Sequence, residues 1–313
     1  MYYFFISFQI IFPILFFMAL GVLIRQGGLI GEDAFAEINR LVFRVFLPIK
    51  LFQEIYRSDF GGVFQPKMLL YGVASVLIIY VLAWAVVSHF VRDRRDAPTL
   101  IQMVYRSNYV LFGLSVAENM YPDENLSLIS VMAAFVVPMF NILAVLLFEA
   151  FREREKLSAL HLLMGIAKNP LVLGSGLALL IKGAGLEIPA LLQKPLTDLG
   201  AIATPLAIIC VGATLSFDAL KRYKNYLIWA TLGRLVIVPG VFLGVSLVLG
   251  LRGIELAGLF LIYATPVASS SYPMARELDG NGELAGVGVA VSNVACLFTL
   301  FLWITLLKFF GLC

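Results

Sequence analysis

The sequence predicts an all-α integral membrane protein: ten transmembrane helices in two inverted five-helix repeats, with the fourth and ninth helices broken and crossing. Three observations lead there. The 313 residues are 61% hydrophobic and only 14% charged, with a mean hydropathy of +0.94. Soluble domains sit near half apolar and about a quarter charged, so this chain has too little polar surface to cover a soluble exterior. Apolar windows long enough to span a bilayer recur along the chain, and the chain resembles itself at a fixed offset.

Taken in order, the windows fall at 4–25, 36–57, 69–91, 98–120, 126–150, 164–183, 190–215, 226–249, 254–276 and 284–309. Each approaches the roughly 20 residues that a spanning helix takes. The first reads as a retained span rather than a cleavable signal, because no basic residue precedes it, it carries Pro13, and it ends at Arg25. The longest polar stretch, around Phe151–Ser158, is too short to be a domain. Lys and Arg in the connecting loops set the orientation. Twelve collect on one side, including the Arg92–Arg95, Arg152–Lys156 and Lys221–Lys224 clusters, against six on the other. The first side is therefore cytoplasmic, and both termini are extracytoplasmic.

The self-similarity has an offset of 157 residues, which lays Pro13 over Pro170, Pro48 over Pro205 and Phe60 over Phe217. Gly21–Leu29 aligns with Ala178–Leu186 without a gap, and the interval between the matched prolines is 35 residues in each half. Matched prolines are rarer by chance than matched Leu, Ile or Val. Residues 1–150 thus form the first repeat and 151–313 the second. Five spans is an odd number, so the second repeat enters the membrane inverted. Inverted repeats place a binding site near the midplane, where helices are interrupted at corresponding positions.

Those positions are visible. The fourth span carries Arg106-Ser107-Asn108-Tyr109 in its middle, and the ninth reads Pro266-Val267-Ala268-Ser269-Ser270-Ser271-Tyr272-Pro273. Proline removes a backbone donor and clashes with the preceding turn. Unpaired backbone at membrane depth persists only where it lines a cavity or packs on protein. The two spans are expected to unwind and cross near Asn108 and Pro266, offering freed N–H groups and helix N-termini to an anion. Lys50, Arg106 and Arg234 lie about half-way through their spans, where charges are costly and usually functional. Each has a plainer explanation: Lys50 and Glu54 are spaced i,i+4 and neutralise each other, and Arg234 caps carbonyls of a neighbouring helix. Asn141 reads as either interhelical glue or a ligand, and Asn169, before Pro170, as a helix cap or part of the site. Glu118 and Glu277, just past the breaks, are candidates for proton coupling or are simply solvated.

Other chemistry is poorly supplied. A net charge of +3 gives no reason to expect nucleic acid. Cys210, Cys296 and Cys313 lie in apolar stretches without CxxC spacing, and the histidines are only His89 and His161. No disulfide, metal site or cofactor is indicated.

Leu47-Pro48, Arg106-Ser107-Asn108 with Phe112-Gly113-Leu114, Pro138-Met139-Phe140-Asn141-Ile142-Leu143, Lys168-Asn169-Pro170 and Ala275-Arg276-Glu277 resemble the auxin efflux carrier family, which joins plant auxin carriers to bacterial carriers associated with malate or malonate. The resemblance runs along the whole chain and implies a scaffold of helices 1, 2, 6 and 7. Helices 3–5 and 8–10 would form the transport part of an elevator. It implies a secondary carrier of small organic anions, such as auxin-like monocarboxylates or malate-type dicarboxylates, and suggests a homodimer. By resemblance, Asn108, Asn169, Pro266, Val267 and the apolar Leu51 fall on the family's site, joined here by Arg106, Tyr109, Ser269, Ser270 and Asn141. Two departures point to a member from a bacterial inner membrane rather than an auxin carrier. Only about a dozen residues join the fifth and sixth spans, and Ser269-Ser270-Ser271 is more polar than the plant pattern. The competing readings are a sodium-coupled symporter of the bile-acid type, and a membrane receptor or intramembrane enzyme. No soluble signalling domain and no embedded His–Asp or Ser–Lys pair favours the latter two.

Overall fold

The computed structural model describes residues 2–57, 66–109, 116–117, 120–121, 127–152, 168–215 and 217–312. Glu118, Phe60 and Phe112-Gly113-Leu114 lie outside them. The described residues form helices and one isolated β-bridge. Five helical spans are long and apolar enough to cross a membrane: Pro66–Phe90, Val131–Phe151, Ala190–Ala213, Lys224–Val248 and Gly282–Phe309. Shorter apolar helices run over Phe12–Gln26, Pro170–Gly183 and Gly253–Ala264. Their outer faces are apolar. Leu70, Leu180, Leu191, Trp229 and Val248 are each at least 70% exposed, a belt that water would penalise and lipid would not.

Helix α1 (Tyr2–Gln26) ends where Gly28 takes φ +66°, letting Leu29 N–H reach back to Ile24 O at 3.2 Å. Helix α2 (Glu32–Leu41) is amphipathic and runs through a π turn (Val42–Phe46) into α3 (Leu47–Arg57). A second π turn (Gly233–Ile237) joins α10 (Lys224–Leu232) to α11 (Val238–Val248). Both π turns stop two residues short of a proline, Pro48 and Pro239. Pro239 has no N–H for the Leu235 carbonyl, and the Trp303 indole N–H supplies the missing donor at 2.9 Å. Thus a span that reads as continuous carries a local re-registration at each proline.

The remaining elements are α4 (Pro66–Phe90), α5 (Asp96–Tyr105), α6 (Ser127–Phe151), α7 (Pro170–Gly183), α8 (Ala190–Ala213), the short α9 (Phe217–Arg222), α12 (Gly253–Ala264), α13 (Ser271–Glu277) and α14 (Gly282–Phe309). Helix α1 packs most extensively on α8, and α3 on α7. The α1–α8 approach is governed by glycines: a Cβ on Gly21 would sit 2.1 Å from Ile209 O, and one on Gly212 2.0 Å from Met18 O. Backbones this close are how small residues pack membrane helices. Elsewhere α4 packs on α5 and α6, α11 on α12, and α14 on α1, α13, α10 and α5.

One loop junction ties the starts of α5, α10 and α14 together. Asn281 caps α14 by accepting Leu284 N–H at 2.9 Å, while its amide donates to Asp96 Oδ1 at 2.6 Å and Tyr223 Oη at 2.9 Å. Its own N–H reaches Arg95 O and Thr99 Oγ1. In the same loop Asp93 accepts N–H bonds from Arg95 and Asp96 at 2.8 and 2.9 Å, and these hold its carboxyl below the usual carboxylate range.

Candidate functional site

Helix α5 stops at Tyr105 and α12 at Ala264, each followed by extended residues. The two extended stretches meet. Ser107 and Val267 form an antiparallel β-bridge, and Asn108 N–H donates to Pro266 O at 2.8 Å. Pro266 has no N–H, so the neighbouring Val267 N–H continues the pattern by bonding Ser292 Oγ on α14 at 3.3 Å. Backbone that lost its helical partners is therefore satisfied between the two breaks and by one serine.

Beside this bridge lies a small cavity of about 60 Å³. One wall is Arg106, Ser107, Asn108, Tyr109, Ala268, Ser269 and Ser270 from the two breaks. The opposite wall is Leu47, Lys50, Leu51 and Glu54 from α3 with Thr204 and Ala207 from α8, and α6 adds Val137 and Phe140. Seven of the predicted site residues are thus brought together or adjoin it directly: Arg106, Asn108, Tyr109, Ser269, Ser270 and Leu51 line it, and Asn141 holds Arg106.

Arg106 is 4% exposed and donates from Nη2 to Asn141 Oδ1 at 2.7 Å and to Ser270 Oγ at 2.8 Å. Its Nη1 contacts the Met274 sulfur. Asn108 Nδ2 points across the bridge to Ser269 Oγ at 3.3 Å. Tyr109 is also buried, but its hydroxyl is taken by Ile129 O at 3.1 Å. Among the described residues, Ser107 Oγ and Asn141 Nδ2 are buried without a protein partner. Across the cavity Lys50 hydrogen-bonds Thr204 and lies 3.7 Å from Glu54. The charged groups lining it are therefore Arg106, Lys50 and Glu54, a net of one positive charge when all are ionised.

Other predicted residues lie elsewhere. Asn169 caps α7, its Oδ1 accepting Leu171 N–H at 2.9 Å, and is not among the cavity's lining residues. Its burial and the following proline are what a cap requires. Pro266 and Val267 are buried behind the bridge and contribute backbone. Glu277 ends α13, 4.0 Å from Arg44 in the first π turn. Lys50, expected from the sequence as a functional charge at depth, lines the cavity together with Glu54 and Thr204, which the sequence does not single out as substrate contacts. The i,i+4 pair was legible as a pair, but its facing the break depends on how α3 packs. A second cavity, lined by Arg25, Tyr272, Arg276, Thr214 and Gly282 among others, opens near the start of α14.

Buried cations beside interrupted helices, in an all-helical protein with an apolar exterior, define a multi-pass membrane transport protein. Residues 6–304 match the family described as membrane transport protein, and the chain belongs to this auxin efflux carrier-type family. Curated relatives are themselves called uncharacterized transporters. One from Methanothermobacter thermautotrophicus is 24% identical over 311 residues, covering 95% of this chain and 97% of its own. YfdV of Escherichia coli is 24% identical over 303 residues, covering 93% and 95%. MJ1031 of Methanocaldococcus jannaschii is 20% identical over 312 residues, covering 95% and 98%.

Proposed function

We propose that this protein is a secondary carrier of small organic anions, monocarboxylates or short dicarboxylates, which are held at the meeting point of the two broken helices. The observation that carries the reading is Arg106: a buried guanidinium on the wall of a cavity that also offers Asn108, Ser107, Ser269 and Ser270. Arg106 and Lys50 exceed the single carboxylate of Glu54, so the cavity favours one negative charge. Leu47, Leu51, Val137 and Phe140 supply an apolar surface for the body of the substrate.

Ten spans in two inverted repeats fit the helix lengths. The Pro66–Phe90 and Lys224–Val248 spans are both 25 residues and start 158 apart, and α5 and α12 start 157 apart. An elevator fits the packing. Helices α1, α2–α3, α7 and α8 pack on one another as one group and α4–α6 with α10–α13 as a second, while α14 packs on both through α1 and α13. Walls from both groups line the cavity, so sliding one past the other re-exposes bound substrate on the opposite side. Loop charge supports an orientation with both termini outside a bacterial inner membrane. An anion leaving the cell then gains roughly 2.3 kcal/mol per charge per 100 mV of potential.

The test is flux of labelled carboxylates into proteoliposomes under imposed potentials of each polarity. Potential-driven movement of at least one small carboxylate, lost in Asn108→Ala, is expected. No movement of any anion under either polarity, or normal transport by Asn108→Ala, would overturn the proposal.

A further inference from the structure

Arg234 sits in the π turn between α10 and α11, is 0% exposed and lines neither cavity. Its partners are all backbone carbonyls. Nε donates to Thr265 O at 3.0 Å, Nη1 to Val104 O at 3.2 Å and Tyr105 O at 3.4 Å, and Nη2 to Ile262 O at 2.5 Å. Val104 and Tyr105 close α5, while Ile262 lies in the last turn of α12 and Thr265 follows it. One guanidinium thus bonds the carbonyl ends of both interrupted helices, which are remote from each other in sequence.

The last four carbonyls of a helix lack intrahelical donors and carry about half a negative charge. Two such ends converging amount to roughly one negative charge, which one guanidinium matches. Converging carbonyls at the C-terminal ends of discontinuous helices are also where membrane carriers coordinate a coupling cation. Here that position is filled by a side chain. We infer that Arg234 is a tethered counter-cation standing where a coupling ion would bind, so that the carrier works without sodium and holds its broken helices together permanently. This rests on the transport reading for its functional half only. The structural half, a cation site built from carbonyls and occupied by Arg234, stands independently.

Two measurements test it. Thermal unfolding of purified protein in nanodiscs is followed against guanidinium, sodium and potassium at constant ionic strength. Arg234→Ala is expected to lose roughly 5–10 °C in Tm and to recover at least half of that in millimolar guanidinium, with the wild type indifferent. A wild-type Tm for the variant, or equal recovery by every cation or by none, overturns the inference. Should Arg234→Ala fail to fold, Arg234→Lys decides. A single charge without the fork should fold with an intermediate Tm, and failure of that variant as well refutes a role for charge. Second, wild-type anion flux at a fixed potential should change less than two-fold when sodium is replaced by choline, and a ten-fold loss overturns sodium independence. A wild type that moves no anion counts against the transport reading alone, and the guanidinium response then decides this one.

Discussion

Replacing Arg106 by Gln is the sharpest perturbation of the proposed site, because it removes a charge while keeping a hydrogen-bonding side chain beside Asn141 and Ser270. A carboxylate held by the polar lining of the cavity would lie about 6 Å from the guanidinium charge. At an effective dielectric constant near 20, that separation gives about 2.8 kcal/mol, or roughly a hundred-fold in affinity. Arg106 is 4% exposed, so salt will screen the effect little. Arg106→Gln is therefore expected to raise the KM for carboxylate uptake 30- to 100-fold in proteoliposomes, with maximal flux affected less. Arg106→Lys keeps the charge, loses the bidentate geometry, and should lose about ten times less. The Tm of each variant separates binding from folding. A KM within three-fold of wild type for Arg106→Gln, at unchanged Tm, would refute the assignment of Arg106 to the substrate.

Glu54→Gln removes the negative charge from the same cavity and should act in the opposite direction, lowering the KM for monoanions by several-fold in the same uptake assay. Gly212→Val would drive a side chain into the Met18 carbonyl, where even a Cβ comes within 2.0 Å. A cost of at least 1–3 kcal/mol should appear as a lower Tm, and the same holds for Gly21→Val. Asn169→Ala removes one cap bond at 2.9 Å and should cost about 1 kcal/mol of stability with little change in KM. A large KM effect would instead place Asn169 in the site. Asp93 has a folded pKa below its ordinary 3.8, so its contribution is present above that pH and lost as pH falls through the lower folded value. Asp93→Asn should therefore narrow the difference in Tm between pH 6 and pH 3, measured by scanning fluorimetry.

The parts of this fold that were legible in the sequence are those where apolar runs are interrupted. Arg106-Ser107-Asn108 and Pro266 stand out because each breaks a rule that the rest of the span obeys, and the two breaks meet in a β-bridge. What stayed hidden depends on packing between distant segments. The π turns before Pro48 and Pro239 leave no periodic signature in residues that are apolar all round. The bonds from Asn281 to Asp96 and Tyr223 are another such case, although Asn281-Gly282-Glu283 ahead of an apolar run carries the signal of its cap. Asn169 has a similar sequence context, and there the cap reading and the site reading differ only by where α7 lies. Arg234 was visible as a cation at depth, yet nothing local says that its partners are carbonyls on two other helices.

The two buried arginines near the breaks show why position alone does not assign a role. Arg234 binds four backbone carbonyls, acceptors that cannot move without unwinding a helix, so its charge is committed to structure. Arg106 follows Tyr105, whose carbonyl Arg234 holds, but its own partners are side chains: an amide oxygen, a hydroxyl and a thioether. A thioether is a weak acceptor, and a carboxylate is a stronger one, since charge-assisted bonds are about twice as strong as neutral ones. A guanidinium facing a cavity gains by exchanging the sulfur for an incoming anion, whereas one wrapped in carbonyls has nothing to gain. The acceptors, rather than the arginines, thus separate the cavity side of the break from its structural side.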